Sequence, residues 1–186
     1  MGRIKAIITD FDGTLVNTFA SNYYAYEEAF NMYGYEFTKE QYKKWYGLRY
    51  DDLCKVMGIS NEHKPLIKEF KKKLYPSYFE YLKLNEGLMR FIISSRSQGV
   101  KTCIASTASR ENLYNVLRHF NIEGCFDIII TGENVMHGKP NPEVYNLALN
   151  LLDCEPDEAL AFEDSDVGCE AAEAANISYI KIRNIA

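Results

Sequence analysis

Short apolar runs alternate with helix-periodic segments over most of this chain, and this alternation limits the fold more than any other feature of the sequence. The runs have the length and β-branched character of buried strands. We predict strands at residues 4–9, 100–105, 126–130, 159–162 and 177–182. We predict helices at residues 87–98, from Ser109, from Asn141-Pro142 and at residues 167–174. The apolar face of the third helix is predicted to be Val144, Leu147, Ala148 and Leu151. Because strands that alternate with helices form parallel sheets with right-handed crossovers, the chain is predicted to be an α/β protein.

The segment between the first two predicted strands has a different character. A helical period begins at Val16 and gives an aromatic helix face made of Phe19, Tyr23, Tyr26 and Phe30. Gly34 follows as a helix stop, and the remainder indicates further short helices without a period-two strand. We therefore predict a small helical domain at residues 17–82, inserted into an α/β core formed by residues 1–16 and 83–186.

Composition and charge exclude several classes of protein. The 186 residues, 47% of them hydrophobic, suffice for one α/β domain with an insertion, and the net charge of −5 argues against a general nucleic-acid binder. The five cysteines are scattered and only three histidines accompany them, so we expect neither a disulfide framework nor a zinc site. No leader precedes the first strand, and no apolar run approaches about 18 residues. We expect a cytoplasmic protein without nucleic-acid or membrane partners, as a monomer or homodimer.

Asp10-Phe11-Asp12-Gly13-Thr14, directly after the first predicted strand, is the most informative short motif. Two carboxylates two residues apart at a strand end face one pocket, and such a pair is costly unless a cation or a proton neutralises it. Gly13 allows a sharp turn and close approach of a ligand. An EF-hand calcium loop is excluded because it requires glycine at its sixth position. For this motif alone, an ordinary polar turn remains the alternative interpretation.

Further polar residues follow the other predicted strands. Ser106-Thr107 follows the second strand, Lys139 lies in the loop after the third, and Glu163-Asp164 follows the fourth. Ligands of open parallel sheets bind beyond the carboxyl ends of the strands, so we expect these side chains at one rim. The set suits a phosphate ester: a carboxylate nucleophile, oxygen ligands for Mg²⁺, and a hydroxyl and a lysine for the phosphoryl oxygens. A second carboxylate can protonate the leaving oxygen and then activate water.

Four segments of the sequence, in this order, resemble the four motifs of the haloacid dehalogenase superfamily. They are DFDGTLVNT, CIAST, GKPNPEVY and FEDSDVGCEAA, and the resemblance runs from about residue 4 to residue 182. The layout is similar to the group of phosphoglycolate phosphatases and β-phosphoglucomutases. The resemblance implies a Rossmann-like doubly wound parallel sheet with a small all-helical cap inserted after strand one. It also implies Mg²⁺-dependent hydrolysis of a small phosphorylated metabolite through an aspartyl-phosphate intermediate.

The resemblance also implies roles for individual residues. Asp10 would be the nucleophile and Asp12 the general acid/base. Three residues would hold the phosphoryl group: Ser106, Thr107 and Lys139. Four residues would form the Mg²⁺ site. Asp10, Asp164 and the backbone carbonyl of Asp12 would be ligands, and Glu163 would be a further ligand or an outer carboxylate.

Two other functions stay open at this point. Sugar-phosphate mutases of the group carry a cap histidine and a cap lysine, and Asn22 and Tyr46 fall near those positions, which disfavours a mutase. A binding module that has kept the fold without catalysis is the other alternative, since fold does not determine function. In the loop Gly47-Leu48-Arg49, the guanidinium of Arg49 would suit a second anionic group of a substrate.

Overall fold

The computed structural model describes residues 4–46 and 48–183, so Gly47 of the predicted cap loop lies outside the described residues. The chain forms two compact units. The helical unit comprises Thr18–Leu82, and the α/β unit comprises the chain up to Asn17 and from Lys83 onward. The helical unit begins at Thr18, one residue after the predicted start of the insertion at residue 17.

Among its described residues, the helical unit contains four helices followed by a 3₁₀ segment at Tyr75–Tyr81. The helices are α1 (Phe19–Met32), α2 (Lys39–Trp45), α3 (Tyr50–Val56) and α4 (His63–Leu74). All four residues of the predicted aromatic face lie in one apolar cluster that also contains Phe37 and Tyr42. Gly34, at φ +80°, follows the end of α1 in the left-handed conformation that glycine adopts without strain.

The α/β unit contains seven strands and the remaining four helices among its described residues. The strands are β1 (Ala6–Thr9), β2 (Val16–Asn17), β3 (Lys83–Leu84), β4 (Lys101–Ala105), β5 (Ile128–Ile130), β6 (Ala159–Glu163) and β7 (Ser178–Lys181). The helices are α5 (Glu86–Ser97), α6 (Arg110–His119), α7 (Glu143–Leu152) and α8 (Asp166–Ala174). The predicted α/β class is confirmed, and each predicted strand of the main sheet is present with ends within two residues of the prediction.

The main sheet is parallel, with strand order β5-β4-β1-β6-β7. Thr9 at the end of β1 is in register with Ile104 of β4 and with Phe162 of β6. The chain leaves β1 for one side of the sheet and later returns to the other side, so β1 lies at the topological switch point. The carboxyl ends of β4, β1 and β6 therefore lie side by side.

Both faces of the central strand are buried, as helices on either side of a parallel sheet require. Ala6 and Ile8 of β1 belong to an apolar cluster with residues of α7 and α8. Ile7 points to the other face and is also buried, being 2% exposed. This packing anchors β1 and thereby fixes the position of the residues that follow it.

Two details of the prediction were wrong. Val16 was assigned to the start of a helix, but it forms the short strand β2, which pairs antiparallel with β3 through Leu84. Leu151 was assigned to the buried face of α7, but it is 52% exposed. The buried face of α7 consists of Val144, Tyr145, Ala148, Leu149 and Leu152. Helix α7 also begins one residue later than predicted: Pro142 occupies the N-cap position, and the Asn141 side chain accepts from the Glu143 amide.

Across residues 4–46 and 48–183, the helices are too short or too polar to span a lipid bilayer.

Candidate active site

Asp10 directly follows β1, at the switch point of the sheet. Its backbone amide donates to the Phe162 carbonyl at 2.9 Å, so the ladder to β6 continues through this residue. The side chain is 12% exposed. Gly13 then turns the chain at φ +95°, and a Cβ at this position would lie 2.2 Å from Oδ2 of Asp164. Glycine is therefore required here both for the backbone conformation and for the space that Asp164 occupies.

Lys139 bridges the carboxylates of Asp10 and Glu163. Its Nζ donates to Oδ1 of Asp10 at 2.6 Å, to Oε1 of Glu163 at 2.5 Å, and to the carbonyl of Ala105 at 3.1 Å. An ammonium has three donors, so these contacts use all of them. Burial by itself would lower the pKa of the Lys139 ammonium, but the two carboxylates outweigh burial and hold that pKa above its ordinary value. Lys139 is therefore a charged clamp on Asp10.

Glu163 ends β6 and is completely buried. Its Oε1 accepts from Lys139 and also from the hydroxyl of Tyr145 at 2.6 Å, while Oε2 lies 3.5 Å from the Ser165 hydroxyl. A Cβ on Gly168 would lie 2.0 Å from Oε2, so the first turn of α8 leaves just enough room for this carboxylate. Burial, then the charge of Asp10, raises the pKa of Glu163, and Lys139 and Tyr145 act in the opposite direction.

The carboxylates of Asp10, Glu163 and Asp164 form an acidic cluster. One oxygen of each lies within 4.8 Å of the other two. The hydroxyl of Thr14 donates to Oδ1 of Asp164 at 3.1 Å and so orients this carboxylate within the motif that contains Asp10. The Lys139 ammonium pairs with two of these carboxylates, Asp10 and Glu163, and the cluster of three offers only oxygen donors, which fits a hard divalent cation such as Mg²⁺.

Ser106 and Thr107 follow β4, beside β1. Ser106 is buried, its amide donates to the Ile130 carbonyl, and its hydroxyl oxygen accepts from the Ala108 amide at 3.0 Å. That bond leaves the hydroxyl proton of Ser106 available for a ligand. The Thr107 side chain is exposed, and its carbonyl packs against Gly132, where a Cβ would approach to 2.5 Å.

The two remaining predicted residues, Asp12 and Arg49, are more accessible to solvent than the residues of the acidic cluster that are buried. Asp12 is half-buried and forms an isolated bridge with Val16, which places it in the turn after Asp10. Arg49 is exposed in the helical unit, where it occupies the N-cap position of α3. The structure thus brings together Asp10, Lys139, Glu163 and Asp164. It also adds Tyr145 and Gly168, which the sequence did not single out although both lie within the recognised motifs.

Comparison with known proteins identifies the family. The sequence model described as haloacid dehalogenase-like hydrolase matches residues 7–182. The phosphorylated carbohydrates phosphatase of Thermotoga maritima is 30% identical over 181 residues, covering 95% of this chain and 84% of that protein. The crystal structure of CbbY from Rhodobacter sphaeroides in complex with phosphate is 27% identical, with a TM-score of 0.88 over 97% of this chain and 86% of that chain.

A further solved structure supports the fold alone. β-Phosphoglucomutase from Clostridium difficile is 24% identical, with a TM-score of 0.82 over 97% of this chain and 85% of that chain. The family model matches nearly the whole chain, and the similarity to the Thermotoga maritima phosphatase extends over most of that protein's length. The chain therefore belongs to the haloacid dehalogenase-like hydrolase family and is a phosphatase of that family.

Proposed function

We propose that this enzyme is a Mg²⁺-dependent phosphatase that hydrolyses a small phosphomonoester through an aspartyl-phosphate intermediate. The observation that carries the proposal is the environment of Asp10, whose carboxylate pairs with the Lys139 ammonium and belongs to the acidic cluster at the switch point of the sheet. The similar phosphatase of Thermotoga maritima is named for phosphorylated carbohydrates, so these are the substrate class to test first. We further propose a cytoplasmic enzyme, monomeric or homodimeric, without nucleic-acid or membrane partners.

The proposed chemistry uses Asp10 for nucleophilic attack and Asp12 for both proton transfers. An oxygen of Asp10 attacks phosphorus, and the bond to the leaving oxygen breaks as Asp12 gives that oxygen a proton. Asp12 then takes a proton from a water molecule, which attacks the phosphorus of the aspartyl phosphate and releases inorganic phosphate. Half-burial at the rim suits Asp12 for this role, because the residue must exchange a proton with water.

The phosphoryl oxygens need donors while charge develops on them. The free hydroxyl proton of Ser106 supplies one, and Thr107 supplies a second from the same loop. Lys139 contributes mainly by fixing Asp10, because all three of its donors are used within the protein. Arg49 would recognise a second anionic group of the substrate.

The acidic cluster would hold Mg²⁺. We assign the side chains of Asp10 and Asp164 and the backbone carbonyl of Asp12 as ligands, with Glu163 as a further ligand or an outer carboxylate. When bound, the ion neutralises charge on the phosphoryl oxygens and allows an anionic nucleophile to approach. Thr14 would keep Asp164 aimed at the ion.

Removal of divalent cations tests this proposal. We expect wild-type enzyme to release phosphate from phosphorylated carbohydrates, phosphoglycolate or a nucleoside monophosphate when Mg²⁺ is present. EDTA should reduce release to background, and an excess of Mg²⁺ should restore it. Release that is the same in EDTA and in Mg²⁺ would contradict the role of the cluster.

The same substrate panel separates a phosphatase from a mutase. A hexose phosphate that yields an isomeric phosphosugar without free phosphate would favour a mutase. The helical unit supports hydrolysis, because Asn22, near the position of the mutase histidine, has an amide oxygen that accepts from Lys71 at 2.7 Å. A carboxamide cannot transfer protons as a histidine does.

Gly168→Ala is expected to lower activity although alanine favours a helix. The added Cβ would overlap the Glu163 carboxylate and displace it from Lys139. Since moving such an outer carboxylate typically costs about 10–100-fold, we expect kcat/KM to fall by about that factor. Phosphate release at saturating Mg²⁺ is the measurement.

Gly87→Ala is the matched control for Gly168→Ala. Gly87 also lies in the first turn of a helix, but its nearest neighbour to an added Cβ is Oδ1 of Asn85 at an ordinary 3.6 Å. We expect Gly87→Ala to keep wild-type activity and to gain a few tenths to about 1 kcal/mol in unfolding free energy. Wild-type activity in Gly168→Ala would show that the position of Glu163 does not matter.

A further inference from the structure

Tyr145 is completely buried and turns its hydroxyl toward the acidic cluster. It lies in the first turns of α7, shortly after Lys139 in the chain, and both residues donate to the same atom, Oε1 of Glu163. The two distances are 2.6 Å from the phenol and 2.5 Å from the ammonium. The remainder of the ring packs in the apolar cluster between the sheet, α7 and α8.

The hydroxyl of Tyr145 limits the orientation of Glu163. Gly168 and Ser165 flank the second carboxylate oxygen, Oε2, and the residue has no exposed surface. Without the phenol, Oε1 would keep only the ammonium of Lys139. The carboxylate could then turn toward the Asp10 and Asp164 carboxylates, which lie within the same cluster.

The position of Glu163 in turn determines the position of Lys139. The ammonium has three contacts, and two of them, to Glu163 and to the Ala105 carbonyl, hold it in addition to its contact with Asp10. If Glu163 turns away, Lys139 loses one of its two charged partners and with it the restraint on its approach to Asp10. The chain of contacts Tyr145–Glu163–Lys139–Asp10 is continuous, with each contact at 2.5–2.6 Å.

We propose that Tyr145 is a positioning residue, whose hydroxyl holds Glu163 and, through it, fixes Lys139 against the nucleophile Asp10. This inference rests on the proposed function of Asp10.

Tyr145→Phe tests the proposal because it removes the hydroxyl and keeps the ring. We expect kcat to fall by about 10–100-fold, the effect typical of losing such a supporting contact, while KM changes less than about threefold. Isothermal titration with Mg²⁺, without substrate, should show weaker binding as Glu163 turns within the cluster. A purely structural role would instead lower the unfolding free energy and leave kcat and the Mg²⁺ affinity unchanged, and that result would overturn the proposal.

Tyr35→Phe is the matched control. The Tyr35 hydroxyl is hydrogen-bonded too, to His63 at 2.9 Å and to the Ser60 amide at 3.2 Å, and both partners lie in the helical unit. We expect this variant to lose stability without a change in kcat. An equal fall of kcat in both variants would contradict a specific role for Tyr145.

A second comparison uses Glu163→Met, which has no acceptor for the phenol. If Tyr145 acts through Glu163, adding Tyr145→Phe to Glu163→Met should leave kcat unchanged, whereas a further tenfold loss would overturn the proposal. This pair decides the question even if Tyr145→Phe alone does not fold, because the double variant contains neither the phenol nor the buried carboxylate that would lose its donor. Absence of phosphatase activity in the wild type would refute the proposed function instead, so the two failures are distinguishable.

Discussion

Asp10→Asn should abolish phosphate release while the protein remains folded. The amide has the shape of the carboxylate but is not an anionic nucleophile, so we expect kcat to fall by a factor on the order of 10⁴ or more, as when other covalent nucleophiles are removed. The backbone bond from Asp10 to Phe162 does not depend on the side chain. Single-turnover phosphate release with and without Mg²⁺ measures the loss.

Although Asp10→Asn should abolish activity, it should not lower stability in the absence of Mg²⁺. The variant leaves Lys139 paired with Glu163 alone and reduces the excess of buried negative charge. We therefore expect its unfolding free energy in EDTA to equal or exceed that of the wild type.

Asp127→Asn is the control for Asp10→Asn, since Asp127 lies at the opposite, amino end of the sheet. Its carboxylate accepts from the amide and hydroxyl of Thr102 and from Arg96. This variant should lose stability but keep its activity. Undiminished turnover in Asp10→Asn would exclude Asp10 as the nucleophile.

The sequence was sufficient to predict which residues meet at the carboxyl end of the sheet. Asp10, Ser106 and Glu163 each follow an apolar run directly, and parallel strands align their carboxyl ends, so their proximity follows from the strand assignment alone. The order β4-β1-β6 makes these three ends neighbours. The α/β class was predictable for the same reason, because long alternating patterns are the most reliable local signal.

The contacts between these residues were not predictable in the same way. Tyr145 has the periodicity of a buried helix residue, and nothing local shows that its hydroxyl meets a carboxylate 18 residues further along the chain. Likewise, Lys139 suggests a cation for the phosphoryl group, but only the three-dimensional arrangement reveals that its donors are all used within the protein. Such pairings depend on the register between α7 and β6, which a one-dimensional pattern does not contain.

The errors in the secondary structure have a similar origin. Val16 lies three residues before Phe19, the spacing of one helix face, but its backbone pairs with Leu84, which lies beyond the whole helical unit. Leu151 fits one choice of helical face for α7, whereas the buried face follows Tyr145 and Leu149. In both places a contact distant in sequence decides between local alternatives of similar preference.

Lys139→Met is expected to lower both activity and stability. Removal of the ammonium leaves the buried carboxylates of Asp10 and Glu163 without their cation, and breaking a buried ion pair in this way costs about 3–5 kcal/mol. We expect the unfolding free energy, measured with urea in EDTA, to fall by about that amount. Turnover should fall by roughly 10²–10³-fold because Asp10 loses its charged restraint, an effect comparable to removing one preorganised donor.

Mg²⁺ and a second substitution should each reduce the stability loss of Lys139→Met. The cation offsets part of the unpaired negative charge, so the loss should be smaller in Mg²⁺ than in EDTA. Adding Glu163→Gln removes one charge, and we expect the double variant to be more stable than Lys139→Met by about 0.5–3 kcal/mol, the usual coupling of groups in contact.

Lys101→Met is the control for Lys139→Met. Lys101 donates to the Leu152 carbonyl at the amino end of β4, and its loss should lower the unfolding free energy by only about 1 kcal/mol without a loss of activity. If Lys139→Met lost no more stability than Lys101→Met, the carboxylates would not depend on Lys139 for their charge balance.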